Sequence, residues 1–471
     1  MRPFPSISTL ERLLVGIGLI GAVAWLWRCL CFFPSRGWNE IRLAPAFMWA
    51  HGLSPYPPVN GIATTWIYGP LPLFLQLPAS LMPNAVGAML AAGFLNLTVI
   101  LLGIATVCAW LPVPGLDLTR PARLTAFLVC LAIWPATSLE FMQADNAAVA
   151  FGLLALLTLE RSDSNCSRWL AAAGCAAAIA CKQSLIGLAA AECIWVLVRQ
   201  GQRASLAQMM RIGSIGVLFF ALTAVFFGAE GVYYHLIALP ALLPWAGSIG
   251  NRLTEFSPWL LVHLGLPLTV LTYLGRRTWR RDSPWLLPTL AWLTAWPLDL
   301  VALLKNGGSA NSLHGLLFFL PFAAVLATVG GNHLVWRRTG LAIVSVGILA
   351  VRIATIDVGA WHPRTKHLRE GEFLARNLPG EVYFPWHPLV TFYAGTQFYH
   401  VEDGWFMRYL AGQPVSGPVA YAGLPPKMHV VAFLRNEMDW GIARSLIPHG
   451  AHQTVFGEWI LYSWTPPTTR P

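Results

Sequence analysis

The sequence predicts an all-α polytopic membrane protein of about eleven transmembrane helices, followed by a small α/β C-terminal extracytoplasmic domain. Three observations carry this. Hydrophobic residues make up 56% of the chain and charged residues 11%, against about a quarter charged in soluble domains, and mean hydropathy is +0.57. Apolar runs of the ~17–25 residues that cross a bilayer recur between residues 13 and 357. After about residue 360 charge rises and short β-like runs appear: EVYF, HVVAFL and EWILYSW. Within lipid every backbone amide must be paired inside its own element, so the spans are helices. Abundant Ala, Leu and Gly without sustained alternation argue against a barrel.

The runs fall near 13–33, 86–110, 123–140, 144–160, 169–182, 183–198, 211–229, 257–274, 284–304, 311–331 and 340–357. The first ends in RCLCFF with no small-residue cleavage pattern after it, so it reads as a retained anchor. The fifth and sixth are short and divided at Lys182. One long helix there would remove a span and invert everything after it. Loop charge supports the division. Arg2 and Arg12, Arg120 and Arg123, Arg161 and Arg168, and Arg199, Arg203 and Arg211 fall in alternate connections. So do Arg276, Arg277, Arg280 and Arg281, and Arg337 with Arg338. The positive-inside rule makes that side cytoplasmic, with the N-terminus inside and the C-terminal domain outside. The net charge of +10 then reflects topology rather than nucleic-acid binding.

The expected division is a membrane domain, 1–358, with a first external loop at 34–85, and an extracytoplasmic domain, 359–471. All eight cysteines precede residue 194, so that domain is expected to hold no disulfide. No Walker loop, dinucleotide fingerprint or CxxC is present.

Ionisable and amide groups near membrane depth mark candidate sites. Four stand out on the outer side. Glu40 and Arg42 lie in GWNEIRLAPAFMWAHGLSPY, just after the first span. They read either as a solvated interfacial pair or as a carboxylate in a partly dry cleft. In a cleft it could take a proton from a hydroxyl or ligate a divalent cation. Gln143, Asp145 and Asn146 open the fourth span, as a helix cap or as hydroxyl or metal recognition. Lys182, Gln183 and Ser184 sit between two short spans, as a snorkelling cation or an anion site on a broken helix pair. Lys305, Asn306, Ser309, Asn311 and His314 surround Gly307-Gly308, as a flexible hairpin or a phosphate site before a helix N-terminus. His362 with His367, and His449 with His452, are weaker metal pairs. Arg252 and Glu255 are candidates for a lipid headgroup. An outer-face carboxylate with separated cations suits a lipid-phosphate donor and a hydroxyl acceptor, and such a donor needs no nucleotide motif.

These segments resemble the GT-C superfamily of polyprenyl-phosphate-sugar glycosyltransferases, in its mannosyltransferase-like and arabinosyltransferase-like members. The stretch from Gly37 to Tyr56 resembles the family's acidic start, helix and Gly-x-x-Pro-Tyr ending, at Gly52, Pro55 and Tyr56. TTWIYGPLPLFLQLPASLM resembles the segment that closes that loop, with Tyr68, Gly69, Pro70 and Pro72. FMQADNAAVAFGLLAL with AAGCAAAIACKQSLIG, and KNGGSANSLHGLLFFLPFA, resemble later polar segments. The resemblance covers most of the chain and rests on the order of short motifs.

It implies an inverting transferase on the outer face of a bacterial plasma membrane. Its partners would be a polyprenyl-phosphate sugar, a lipid or envelope-glycan acceptor and membrane lipids, with no nucleic acid. Glu40 would be catalytic, and Lys182 and Lys305 would face the lipid phosphate. Arg42, Tyr68, Gln143, Asp145, Asn146, Gln183, Asn306, Asn311 and His314 would line the substrate site. Where many members carry two acidic residues, this chain has Asn39-Glu40. That leaves a divalent cation open, with Glu40 as its possible ligand. The competing readings are a transporter or flippase of a lipid-linked or polar substrate, a non-catalytic membrane scaffold, and a phosphoalcohol transferase.

Overall fold

The computed structural model describes residues 7–64, 66–110, 120–134, 136–275, 283–329, 334–354, 361–435 and 441–465. Its helices are α1 Ile7–Phe32, α2 Gly37–Ala50, α3 Leu71–Gln76, α4 Ala85–Trp110, α5 Arg120–Ile133, α6 Ala136–Glu140 and α7 Ala144–Arg161. Then follow α8 Asn165–Cys181, α9 Gly187–Gln200, α10 Gln202–Phe227, α11 Ala229–Tyr233, α12 Leu239–Leu242, α13 Ile249–Gly275, α14 Leu286–Leu304, α15 His314–Val329 and α16 Leu334–Ala354. The C-terminal part holds α17 Lys366–Asn377, β1 Val382–Tyr383, α18 Pro388–Gly395, α19 Glu402–Leu410 and α20 Gly417–Ala422. It continues with β2 Val430–Leu434, α21 Ile442–Ser445, β3 His452–Phe456 and β4 Trp459–Ser463.

Each expected apolar stretch holds a helix. Five described stretches are long and apolar enough to cross a bilayer: Thr9–Ser35, Ala85–Thr106, Gln202–Phe227, Leu286–Leu304 and Asn311–Thr328. Helices α5 and α9 are only 14 residues each. The division at Lys182 is real. Its backbone is extended (φ −146°, ψ 118°), ending α8 before a 3-10 turn, Gln183–Ile186, leads into α9. The chain is a multi-pass membrane protein. The expected charges Arg2, Arg276, Arg277, Arg280 and Arg281 lie outside the described residues.

The bundle core is aliphatic and aromatic, with Trp25, Leu128, Leu153, Trp195 and Phe318 buried in one cluster. A second core joins the first loop to the C-terminal part: Phe47, Trp66, Met89, Leu389 and Trp459 share it. The three expected β-like runs carry β1, β2 and β4. The sheet order is β1-β2-β4-β3, with β1 parallel to β2 and the other pairs antiparallel. Strand β3, His452–Phe456, was not among the expected runs. Its side chains are mostly exposed, so it lacks the apolar alternation that flags a strand.

Backbone hydrogen bonds tie this part to the bundle. Arg364 donates its N–H to the Cys31 carbonyl, and Val401 to that of Ala63. The buried Arg408 guanidinium donates to the carbonyls of Val59, Gly61 and Ile62. Residues 59–62 of the first loop lie in no helix or strand, and Arg408 satisfies three of their carbonyl acceptors.

Candidate active site

Helix α2 carries its polar residues on different faces. Asn39 is fully buried and clamps the α6–α7 connection. Its amide donates to the carbonyls of Phe33 and Glu140, both at 2.8 Å, and its oxygen accepts from the Met142 N–H at 2.7 Å. An Asp there would set a carboxylate against two carbonyl oxygens, so the amide is required by packing. Glu140 is itself held by Arg28 at 2.8 Å and by Arg36.

Glu40 and Arg42 are not partners. Residues two apart on a helix point to different sides. Glu40 is fully buried, and its carboxylate meets His387 Nδ1 at 2.5 Å, just before α18. His367 of α17 completes a buried trio in which one ligand atom from each residue lies within 4.8 Å of the others. Burial, with His387 close by, lowers the His367 pKa to about 3 and keeps the ring neutral. Arg42 turns the other way, donates to the Met142 carbonyl at 2.9 Å and lies over Trp38.

On that other side the polar groups converge. Tyr68, partly exposed, lies within electrostatic reach of Arg42, Lys182, Asp145 and Asp403. Lys182 pairs with Asp145 and donates to the Asn311 carbonyl at 3.1 Å. His314 approaches Asp145 at 3.4 Å and bonds Ser138. Asp299, at the next helix, accepts from the Leu316 N–H at 3.1 Å. The break at Lys182 is what brings this cation beside the first loop. Gly69 seats on the α8 terminus so closely that an added Cβ would come within 1.6 Å of the Ala180 carbonyl oxygen.

Asp403 lies within electrostatic reach of Arg42 and Tyr68. It lies in the first turn of α19 and is 7% exposed. Burial pushes its pKa up to about 7; Arg42 opposes that rise and Glu402 reinforces it. Among the described residues Asp403 makes no hydrogen bond or ion pair of its own. Gly404 beside it packs onto the Thr64 backbone, which fixes α19 against the first loop.

No family model matches the chain, and no curated protein matches it. Among solved structures, the crystal structure of ArnT from Cupriavidus metallidurans bound to undecaprenyl phosphate is similar, at a TM-score of 0.59 and 13% identity. The match covers 95% of this chain and 97% of that one. The fold is GT-C.

Within this GT-C frame the other expected residues separate into distinct roles. Asn146 bonds Asn96 at 2.9 Å and the Ser138 carbonyl at 2.9 Å, and Gln143 accepts from the Ser138 hydroxyl. Both edge a small cavity with Pro72, Gln76 and Asn96. Gln183 holds the carbonyls of Ile67 and Leu236, so it fastens the loop. Lys305 does not join the cluster. It donates to the carbonyls of Pro240 and Ala241 and lies over Trp245, and the Asn306 N–H bonds Pro244.

Gly307 adopts φ +84°, a conformation that favours glycine, and an added Cβ on Gly308 would sit 2.3 Å from the Ala302 carbonyl oxygen. That turn is a tied helix end. Arg252 reinforces it through the Gly308 carbonyl and pairs with Glu255 at 3.0 Å. Of the histidines singled out in the sequence, His362 is exposed while His367 is buried, and His449 and His452 are both exposed. Asp403 and His387 were missed. The available signal was a carboxylate or imidazole set among aromatic residues, in VEDGWF and FPWHPL.

Proposed function

We propose that this protein is an inverting glycosyltransferase that moves a sugar from a polyprenyl-phosphate donor to a lipid or envelope-glycan acceptor. Its cleft and C-terminal domain would face the outer side of a bacterial plasma membrane. The observation that supports this best is that two cations, Arg42 and Lys182, both lie within electrostatic reach of Tyr68, in a fold shared with a solved structure bound to undecaprenyl phosphate. Lys182 has three N–H donors and spends two on Asp145 and Asn311. The remaining donor and the Arg42 guanidinium suit the two sides of a phosphate.

In this reading Asp403 is the base. Its carboxylate takes the proton of the acceptor hydroxyl as that oxygen attacks the anomeric carbon. The bond from that carbon to the phosphate oxygen breaks on the opposite side. Polyprenyl phosphate leaves with the electron pair, stabilised by Arg42 and Lys182. One displacement inverts the anomeric centre. Glu40, the base expected from sequence, is enclosed against His387 on the other face of α2.

The test is transfer in reconstituted membranes, with radiolabelled polyprenyl-phosphate hexoses and pentoses and envelope acceptor. Asp403→Asn is expected to lower transfer by about 10²–10⁴-fold with expression retained. Glu40→Gln should retain more activity than Asp403→Asn. The reverse ranking would return the base to Glu40. A folded protein that transfers none of these sugars would favour transport of the lipid-linked substrate.

A further inference from the structure

The trio on the hidden face of α2 has no part in the transfer just described, and its composition is specific. Glu40, His367 and His387 come from α2, α17 and the residue preceding α18, and all three are buried. The two histidine rings lie 5.5 Å apart between centroids, and Trp459 closes over His387 at 5.0 Å. His367 Nε2 is buried and meets no hydrogen-bond partner. A buried imidazole nitrogen with no partner, facing a carboxylate and a second imidazole, is placed as a metal-ligating nitrogen would be. A buried polar atom with nothing to bond is costly.

We propose that Glu40, His367 and His387 bind a divalent transition-metal ion of the zinc type, which fastens the first loop to the C-terminal part. Two imidazoles and one carboxylate form a donor set that suits Zn²⁺, with a fourth position left for water. Bonds of about 2.0–2.2 Å place tetrahedral ligand atoms a little over 3 Å apart. The Glu40–His387 contact of 2.5 Å opens by less than 1 Å to reach that spacing, and the 4.8 Å limit of the trio closes toward it.

The test uses the full chain in detergent. After chelation and dialysis, Zn²⁺ content is measured, and Co²⁺ is titrated in with its visible ligand-field absorption as readout. Wild type should bind about one ion per chain with a tetrahedral-type Co²⁺ spectrum. His367→Gln should weaken binding at least 100-fold, and chelation should lower the Tm of wild type but not of His367→Gln.

His367→Cys guards against a folding artefact. It should retain Co²⁺ and add a thiolate-to-cobalt charge-transfer band, which only a residue in direct contact with the ion produces. His449→Gln with His452→Gln, on the exposed face, should leave binding unchanged. The inference is overturned if wild type holds no stoichiometric metal. It is equally overturned if His367→Gln and His387→Gln bind as wild type does, or if His367→Cys binds Co²⁺ without the new band.

Discussion

Asp403 has a pKa pushed from 3.8 to about 7 by burial. At ~1.4 kcal/mol per tenfold in proton affinity, ionising it in the folded protein costs about 4 kcal/mol more than in the unfolded chain. Two consequences differ in sign and so can be separated. For catalysis, a base works only when ionised. The wild-type kcat/KM should therefore rise about tenfold per pH unit up to ~7 and flatten above it. For stability, the raised pKa means that the folded state holds the proton more tightly. Stability is then greatest below about pH 4, falls as pH rises toward 7, and stays low beyond it.

Glu402 is also raised to about 7 by burial and adds to the same window. The informative quantity is thus the difference between wild type and Asp403→Asn. In thermal unfolding from pH 4 to 8, the Asn variant should gain on wild type progressively, by up to about 4 kcal/mol, while losing transfer at every pH. A stability difference that does not change with pH, or transfer by Asp403→Asn that still rises through pH 7, would refute the assignment.

Two other perturbations probe the frame. Lys182→Met removes the partner of a buried Asp145 and should destabilise the protein by about 3–5 kcal/mol, with Lys182→Met/Asp145→Asn recovering part of the loss in a double-mutant cycle read by thermal unfolding. Gly69→Ala forces a methyl onto the Ala180 carbonyl oxygen, so it should cost about 1–3 kcal/mol or more and reduce transfer although residue 69 carries no chemistry, whereas the same change at the open Gly213 should be silent.

The helical bundle was legible because lipid leaves a chain few choices. Long apolar runs give helices, and the one lysine in the segment AACKQSLIG marked a true break. That break brings Lys182 to Asp145 and the Asn311 carbonyl, with His314 beside Asp145, although the sequence showed these residues only as separate sites. The Glu40–Arg42 pairing was not legible, because proximity in sequence says little about which side of a helix a residue faces. Asn39 looked like a weakened acidic position, yet it is a three-bonded clamp on Phe33, Glu140 and Met142. His367 was noticed beside His362, but its true neighbours are Glu40 and His387, far along the chain. Lys305 resembled an anion site because a sequence does not show which carbonyls a lysine already serves. The position of Asp403 depends on how α19 lands on residues 63–64, which no local pattern encodes.

The seating of Trp459 also bears on the order in which the molecule comes into being. Strand β4 lies between β2 and β3, and its Trp459 indole donates to the His367 carbonyl while packing on His387. A ribosome reaches this residue only after every helix of the bundle has been made. Glu40, among the earliest residues synthesised, therefore waits through more than four hundred codons for the ring that will cover its partner. Arg408, which holds the loop carbonyls, and Asp403, within reach of Arg42, are likewise made only after the whole bundle. Every contact that these C-terminal residues make with the first loop is thus formed late in synthesis, across most of the length of the chain.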